Sequence, residues 1–193
     1  MNFNIPPVTR ALLIANIGVF LLQQVFNLAI FALWPLHSGA FMPWQAVTYG
    51  FLHANWAHLF FNMFAVYMFG GELERVFGQK RYLNYYLVSV LSAAGLQLLV
   101  TYGTGSVYPT LGASGGVFGL LLAYGMYFPR RTVVLLIPPI PMPAWLFVTL
   151  YGLLELFLGV TGTQAGVAHF AHLGGMLGGY LMIRHWRSGA RRR

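Results

Sequence analysis

The chain of 193 residues has no cysteine and no aspartate, and Glu72, Glu74 and Glu155 are its only acids. Without cysteine, neither a disulfide framework nor a thiol nucleophile can operate. Without aspartate, and with no acid evidently placed to replace it, a conventional Ser–His–acid triad is not expected. Charge is scarce altogether: 7% of the residues are charged and 58% are hydrophobic, whereas soluble domains carry about 25% charged residues. Such a composition cannot cover a globule in water, and the class it points to is a polytopic membrane protein. The length accommodates roughly six spans of about 20 residues with short loops, read as one compact domain. Met1 to Arg10 lacks the charged, then apolar, then small-residue order of a cleavable signal, so the first apolar stretch is read as a retained helix.

Local chemistry breaks the chain into six expected helices, at about 10–33, 56–77, 81–102, 114–129, 133–159 and 167–187. Pro35, Gly39 and Pro43 are expected to end the first, and Gly78 to Arg81 divides the second from the third. Gly103, Gly105 and Pro109 interrupt before the fourth, and Pro129-Arg130-Arg131 closes it. The fifth opens in a proline-rich run (Pro138, Pro139, Pro141, Pro143) that blurs its start, and 159–166 reads as a small, uncharged connector. The net charge of +8 does not gather on one face, as nucleic-acid binding would require. All eleven cations (Arg10, Arg75, Lys80, Arg81, Arg130, Arg131, Arg184, Arg187 and Arg191 to Arg193) fall at the N-terminus, the second and fourth connections, or the C-terminus. The first, third and fifth connections have no Lys or Arg. By the positive-inside rule both termini are then cytoplasmic, and the terminal arginines meet anionic headgroups.

Polar residues inside these apolar stretches are the candidates for chemistry. Ser114 opens the fourth span in Gly112-Ala113-Ser114-Gly115, at the positive end of a helix dipole where backbone N–H groups are free. Between Ser114 and Pro129 the helix covers about 24 Å, less than the hydrocarbon layer of about 30 Å. Ser114 therefore lies below the outer surface, and the loop before it dips into the membrane. Irregular backbone at that depth needs burial in protein or a wet cavity. His172, in Ala171-His172-Leu173-Gly174-Gly175, falls at a similar depth in the sixth span, and His58 and Asn62 do so in the second. The reading is a two-residue hydrolase: Ser114 the nucleophile and His172 the general base. His58, Asn62 and the Ser114 amide would form an oxyanion site. Ala171, Gly175 and Gly179 on one helix and Gly115 and Gly119 on another make small-residue ridges that allow close approach. A dyad without an acid is expected to be slow, since nothing obvious orients the imidazole. His53 is expected to brace the first loop and His169 to line the cavity. A metal site is not expected among the histidines. Glu155, near the outer end of the fifth span, is read first as interfacial and second as a gating residue or a partner for a histidine. The first loop carries Trp34, Phe41, Met42, Trp44 and Trp56, as an interfacial element does.

Taken as an ordered set, His58-Leu59-Phe60-Phe61-Asn62, Gly70-Gly71-Glu72-Leu73-Glu74-Arg75, Gly112-Ala113-Ser114-Gly115 and Ala171-His172-Leu173-Gly174-Gly175 closely resemble the motifs of the rhomboid intramembrane serine proteases. The resemblance runs from Trp44 to Gly179. It implies an all-α membrane fold of six helices, as in the compact bacterial forms of the inner membrane, and a Ser114–His172 dyad. It also implies the oxyanion site already named, a structural role for Glu74, and no cofactor or metal. Substrates would be single-pass membrane proteins cut near the outer face, at small residues in helix-destabilised segments, with the fifth span and its following loop as gate and cap. Two departures stand out. Trp44-Gln45 replaces the frequent Trp-Arg, which is expected to loosen the first loop. Phe118 stands where some members have tyrosine, and it can stack on His172 without hydrogen-bonding. The other readings are a catalytically silent relative that binds transmembrane helices, which retention of Ser114 and His172 opposes, and a small transporter, opposed by the lack of paired acids or an internal repeat.

Overall fold

A computed structural model describes residues 5–135, 138–162 and 167–190. Helix α1 (Pro7–Gln23) starts on proline, whose missing N–H costs nothing in a first turn. It stops ten residues before the expected end at Leu33. The Gln23 side chain leaves the helix direction to bond the backbone of His53 on both sides, accepting from its N–H at 2.9 Å and donating to its carbonyl at 3.3 Å. The chain then runs through short 3-10 turns at Ala29–Phe31 and Leu36–Ser38. A single turn, α2 (Gln45–Thr48), and a further 3-10 turn at Tyr49–Phe51 follow.

Gln45 holds this loop. Its side chain is fully buried, donates to the carbonyls of Ile30 and Ala40 at 3.0 Å each, and accepts from Trp34 N–H at 3.1 Å. The expectation of a loosened loop is corrected here, because an amide carries both the donors and the acceptor that the enclosed backbone needs.

Helix α3 (Trp56–Ala65) is capped by Asn55, whose side chain accepts from His58 N–H. A π turn at Val66–Gly70 carries it into α4 (Gly71–Phe77), so the expected second span is one path of three segments. Glu74 on α4 is buried and bonds the start of α1, accepting from Val8 N–H at 2.9 Å, Thr9 N–H at 2.7 Å and the Thr9 hydroxyl at 2.8 Å. It thereby takes up first-turn donors that α1 itself cannot pair.

Gly78, at φ +75°, turns the chain into α5 (Gln79–Thr104). Helix α6 (Ser114–Tyr127) is apolar all round and buried along nearly its whole length, as a central helix must be. After it come two short antiparallel strands, β1 (Thr132–Val134) and β2 (Pro141–Pro143), with Thr132 opposite Pro143. Helix α7 (Ala144–Thr161) begins only there, eleven residues later than expected. Prolines have no N–H for a helical ladder, and the first donors of α7, Ala144 and Trp145, instead bond the carbonyls of Arg131 and Pro129. Its C-cap, Gly162, closes the helix in the left-handed conformation, while 163–166 of the expected connector lie outside the described residues. Helix α8 (His169–Ala190) ends the described chain; Arg191 to Arg193 lie outside it.

Helices α5, α6 and α8 form the centre. On α8 the glycines divide by face. Gly174 and Gly178 meet Ser92 and Ala93 of α5, and Gly175 lies directly on the backbone of Gly115 of α6. Gly179 faces the Tyr85 hydroxyl of α5 instead of α6, so the expected three-residue ridge toward α6 is shorter than the spacing implied. Helices α5 and α7 are long and apolar enough to cross a membrane, and α1 and α6 are shorter apolar helices. Leu150, Leu153, Leu154, Leu156, Phe157 and Val160 of α7 are all exposed, a surface too apolar for water and suited to lipid.

Candidate active site

Ser114 is the first residue of α6, and its position is set from the loops before it. Leu33 and Thr110 exchange two backbone hydrogen bonds of 2.9 Å, and Gly112 N–H donates to the Tyr49 carbonyl at 2.9 Å. The Tyr49 hydroxyl in turn donates to the Val90 carbonyl at 2.8 Å. The irregular backbone before Ser114 is thus paired by protein. Gly112 has φ +130°, and a Cβ there would strike the His58 ring at Cε1, 2.7 Å away, and at Nε2, 2.9 Å away. Glycine is required at this position by both backbone and space.

From α8, His172 reaches across the glycine contact and its Nε2 lies 2.8 Å from Ser114 Oγ. The α6 backbone approaches α8 closely because Gly115 and Gly175 carry no side chain; a Cβ on Gly175 would overlap the Gly115 carbonyl. The imidazole is flat against Phe118, with ring centroids 4.2 Å apart and planes 7° from parallel. Phe118 stacks in turn on Tyr151 at 5.3 Å. The structure thus places Phe118 against the His172 ring and brings Ser114 and His172 together.

A cleft of about 590 Å³ opens beside the pair, and Ser114, His172, His58, Asn62, Phe118 and Tyr151 are among its lining residues. The four polar residues that the depth argument brings together therefore share one cavity. His58 Nδ1 accepts from Ala54 N–H at 3.3 Å, which assigns the ring proton to Nε2, the nitrogen beside Gly112. Asn62 donates one amide hydrogen to the His58 carbonyl at 2.8 Å and keeps a second N–H for the cleft. The N–H groups of Ser114, Gly115 and Gly116 are first-turn donors unused by the helix.

Of the remaining histidines, His53 ties to the first helix through its backbone and Gln23, while its buried ring packs edge-on against His58 at 5.1 Å. His169 does not line the cleft. It is buried behind it, and its Nδ1 lies 2.7 Å from Glu155 Oε2.

Glu155 is the residue that sequence reasoning placed worst. It is buried at 5% exposure, and the same Oε2 lies 2.8 Å from His172 Nδ1. The second of the two readings given to it, pairing with a histidine, is the observed one, and it pairs with two. An acid is therefore in contact with the imidazole after all, supplied by glutamate from α7. The signal available was spacing: Glu155 sits one turn after Tyr151, on the face that meets α8.

The site is a serine hydroxyl on an imidazole, in a cleft of an apolar helical bundle. Residues 40–187 match the rhomboid domain, and the chain belongs to the rhomboid family, whose members are multi-pass membrane proteins. It is similar to rhomboid protease AarA of Providencia stuartii, at 29% identity over 92% of this chain and 73% of that protein. It is 31% identical to RHOMBOID-like protein 12, mitochondrial, of Arabidopsis thaliana, over 87% of this chain and 55% of the relative. It is 30% identical to rhomboid protein 1, mitochondrial, of Saccharomyces cerevisiae, over 68% of this chain. The chain spans 38% of that yeast protein's length and about half of the Arabidopsis relative's.

Proposed function

We propose that this protein is an intramembrane serine endopeptidase that cleaves transmembrane segments of single-pass membrane proteins. The observation that carries the reading is the 2.8 Å contact between Ser114 Oγ and His172 Nε2 in a cleft inside an apolar bundle. Family membership and relatives named as proteases support it.

In the proposed reaction, Ser114 Oγ attacks the substrate carbonyl carbon as His172 Nε2 takes the hydroxyl proton. The negative charge that develops on the carbonyl oxygen is met by the Ser114 N–H, the His58 Nε2–H and the free N–H of Asn62. Collapse of this intermediate breaks the peptide C–N bond, and His172 returns the proton to the leaving amine. Water then enters the cleft, gives a proton to His172 and attacks the acyl carbon; the ester C–O bond breaks, His172 returns that proton to Ser114 Oγ, and the carboxylic acid product leaves. No metal or cofactor takes part. A carbonyl within an intact helix is already hydrogen-bonded and shielded by its neighbours, so the preferred substrates are segments with small, helix-weakening residues near the outer face.

Six helical segments cross the membrane in this reading: α1, α3 with α4, α5, α6, α7 and α8. The distribution of Lys and Arg supports cytoplasmic termini, and the cleft then opens toward the outer side. The membrane would be the cell membrane of a bacterium.

A fluorophosphonate probe tests the chemistry directly. The wild type, purified in detergent, is expected to be labelled, and Ser114→Ala and His172→Ala are expected to lose both labelling and cleavage of a reconstituted single-pass substrate. A folded wild type that is neither labelled nor active, beside an active rhomboid control, would replace the reading with that of a silent protein binding transmembrane helices.

A further inference from the structure

We infer that Glu155 is a positioning residue for His172, so that the working unit is Ser114–His172–Glu155 with His169 bracing the acid. The inference rests on the serine-protease reading above and extends it to a third and fourth side chain.

The geometry is specific. One carboxylate oxygen, Glu155 Oε2, lies 2.7 Å from His169 Nδ1 and 2.8 Å from His172 Nδ1. An ionised carboxylate only accepts hydrogen bonds. Both ring nitrogens must therefore carry their protons, and His172 is held as the Nδ1–H tautomer. Its Nε2 is then bare, which is the state needed to accept the Ser114 proton across 2.8 Å. When that proton arrives, the imidazolium charge forms beside the carboxylate, and the proton on Nδ1 stays where it is. The three links come from three helices: α6 supplies the hydroxyl, α8 the two histidines and α7 the acid.

The surroundings leave few competitors for this role. Among the described residues, the charged and titratable groups facing the pair are Ser114 on α6, His169 on α8, Tyr151 on α7 and His58 on α3, with His53 behind His58. On the α5 side, α8 meets Ser92 and Ala93. Phe118 fixes the plane of the imidazole from its face, but a stack does not select a tautomer; only the acceptor at Nδ1 does so. His169 has a separate function: it holds the same oxygen from the other side, so that the carboxylate cannot swing out along α7.

Glu155→Gln and Glu155→Asp, in the full chain with a reconstituted substrate, test the inference. Glu155→Gln is expected to lower kcat on the order of 10²-fold with KM changed less than about twofold, since the substrate is not touched. Glu155→Asp, which retains the charge on a shorter arm, is expected to recover part of that loss. Nitrogen-15 spectra of histidine-labelled Ser114→Ala protein, with and without Glu155→Gln, read the tautomer without any turnover. His172 is expected as Nδ1–H with Glu155 present and as a mixture without it. Wild-type kcat in Glu155→Gln, in a preparation whose Ser114→Ala form is inactive, would overturn the positioning role and leave the protease reading standing. An unchanged His172 tautomer on loss of Glu155 would also overturn it. Loss of the protease reading alone would appear as a wild type that fails to label while its His172 remains Nδ1–H.

Discussion

At the scale of single residues, glycine does here what larger side chains do in soluble cores. Gly175 lies on the Gly115 backbone, and a Cβ there would overlap the carbonyl; Gly175→Ala must push α8 away from α6. Forcing one added methyl into a packed contact typically costs about 1–3 kcal/mol, and a movement of about 1 Å at Nε2 costs catalysis about 10²-fold. The variant is expected to melt earlier in detergent and to lose most of its activity. Gly95→Ala is the matched control. That glycine has open space around it, and alanine is the better helix former by about 1 kcal/mol, so its melting temperature is expected to hold or rise with activity intact. Asn62→Ala removes one proposed oxyanion donor and is expected to lower kcat by about 10²–10³-fold. Ser114, His172, His58 and Asn62 were legible in the sequence because polar groups in hydrocarbon are conspicuous. Glu155 was not, because one acid near a helix end reads as interfacial until the neighbouring helix is known.

At the scale of elements, most helices follow from the apolar stretches and their glycine and proline breaks. The first helix ends at Gln23, whose side chain bonds the His53 backbone, and α7 begins only at Ala144, after prolines that cannot donate to a helical ladder. Hydropathy continues past Gln23 and does not mark that end. Gln45 follows the same pattern. It was read as a loosened substitution, yet it holds three segments of the first loop, and that loop pairs with the strand-like approach to Ser114 through Leu33 and Thr110. Gln45→Ala is therefore expected to release the loop. Limited proteolysis between Ala29 and Ala40 would quicken, and activity would fall although Gln45 lies outside the cleft. Glu74→Ala is expected to destabilise the chain by about 3 kcal/mol, measured by chemical denaturation, because its carboxylate carries charge-assisted bonds to the start of α1.

At the scale of the whole molecule, the proposed orientation rests on charge placement, and the absence of cysteine gives a clean way to test it. Single cysteines can be introduced without removing native ones. Ser106→Cys, between α5 and α6, is expected to react with a membrane-impermeant maleimide added to intact cells. Lys80→Cys, at the start of α5, is expected to react only after permeabilisation. The reverse pattern would invert the orientation and turn the cleft toward the cytosol. The bundle was readable at this scale because membrane insertion writes its rules in composition. The inner arrangement, with α6 enclosed by the others, was only partly readable, since the ridges on α8 divide between two partners in a way that spacing alone does not encode.

The contact of Gly115 with Gly175 joins nucleophile and base through main chain alone, with no intervening rotamer to relax. A bilayer that thickens or thins would tilt α6 and α8 as one piece, leaving the Ser114–His172 distance almost untouched. The acid arrives on α7, which exposes an apolar face and shares no such weld. Lipid composition is thus expected to tune turnover through the third member of the site while the first two stay in register.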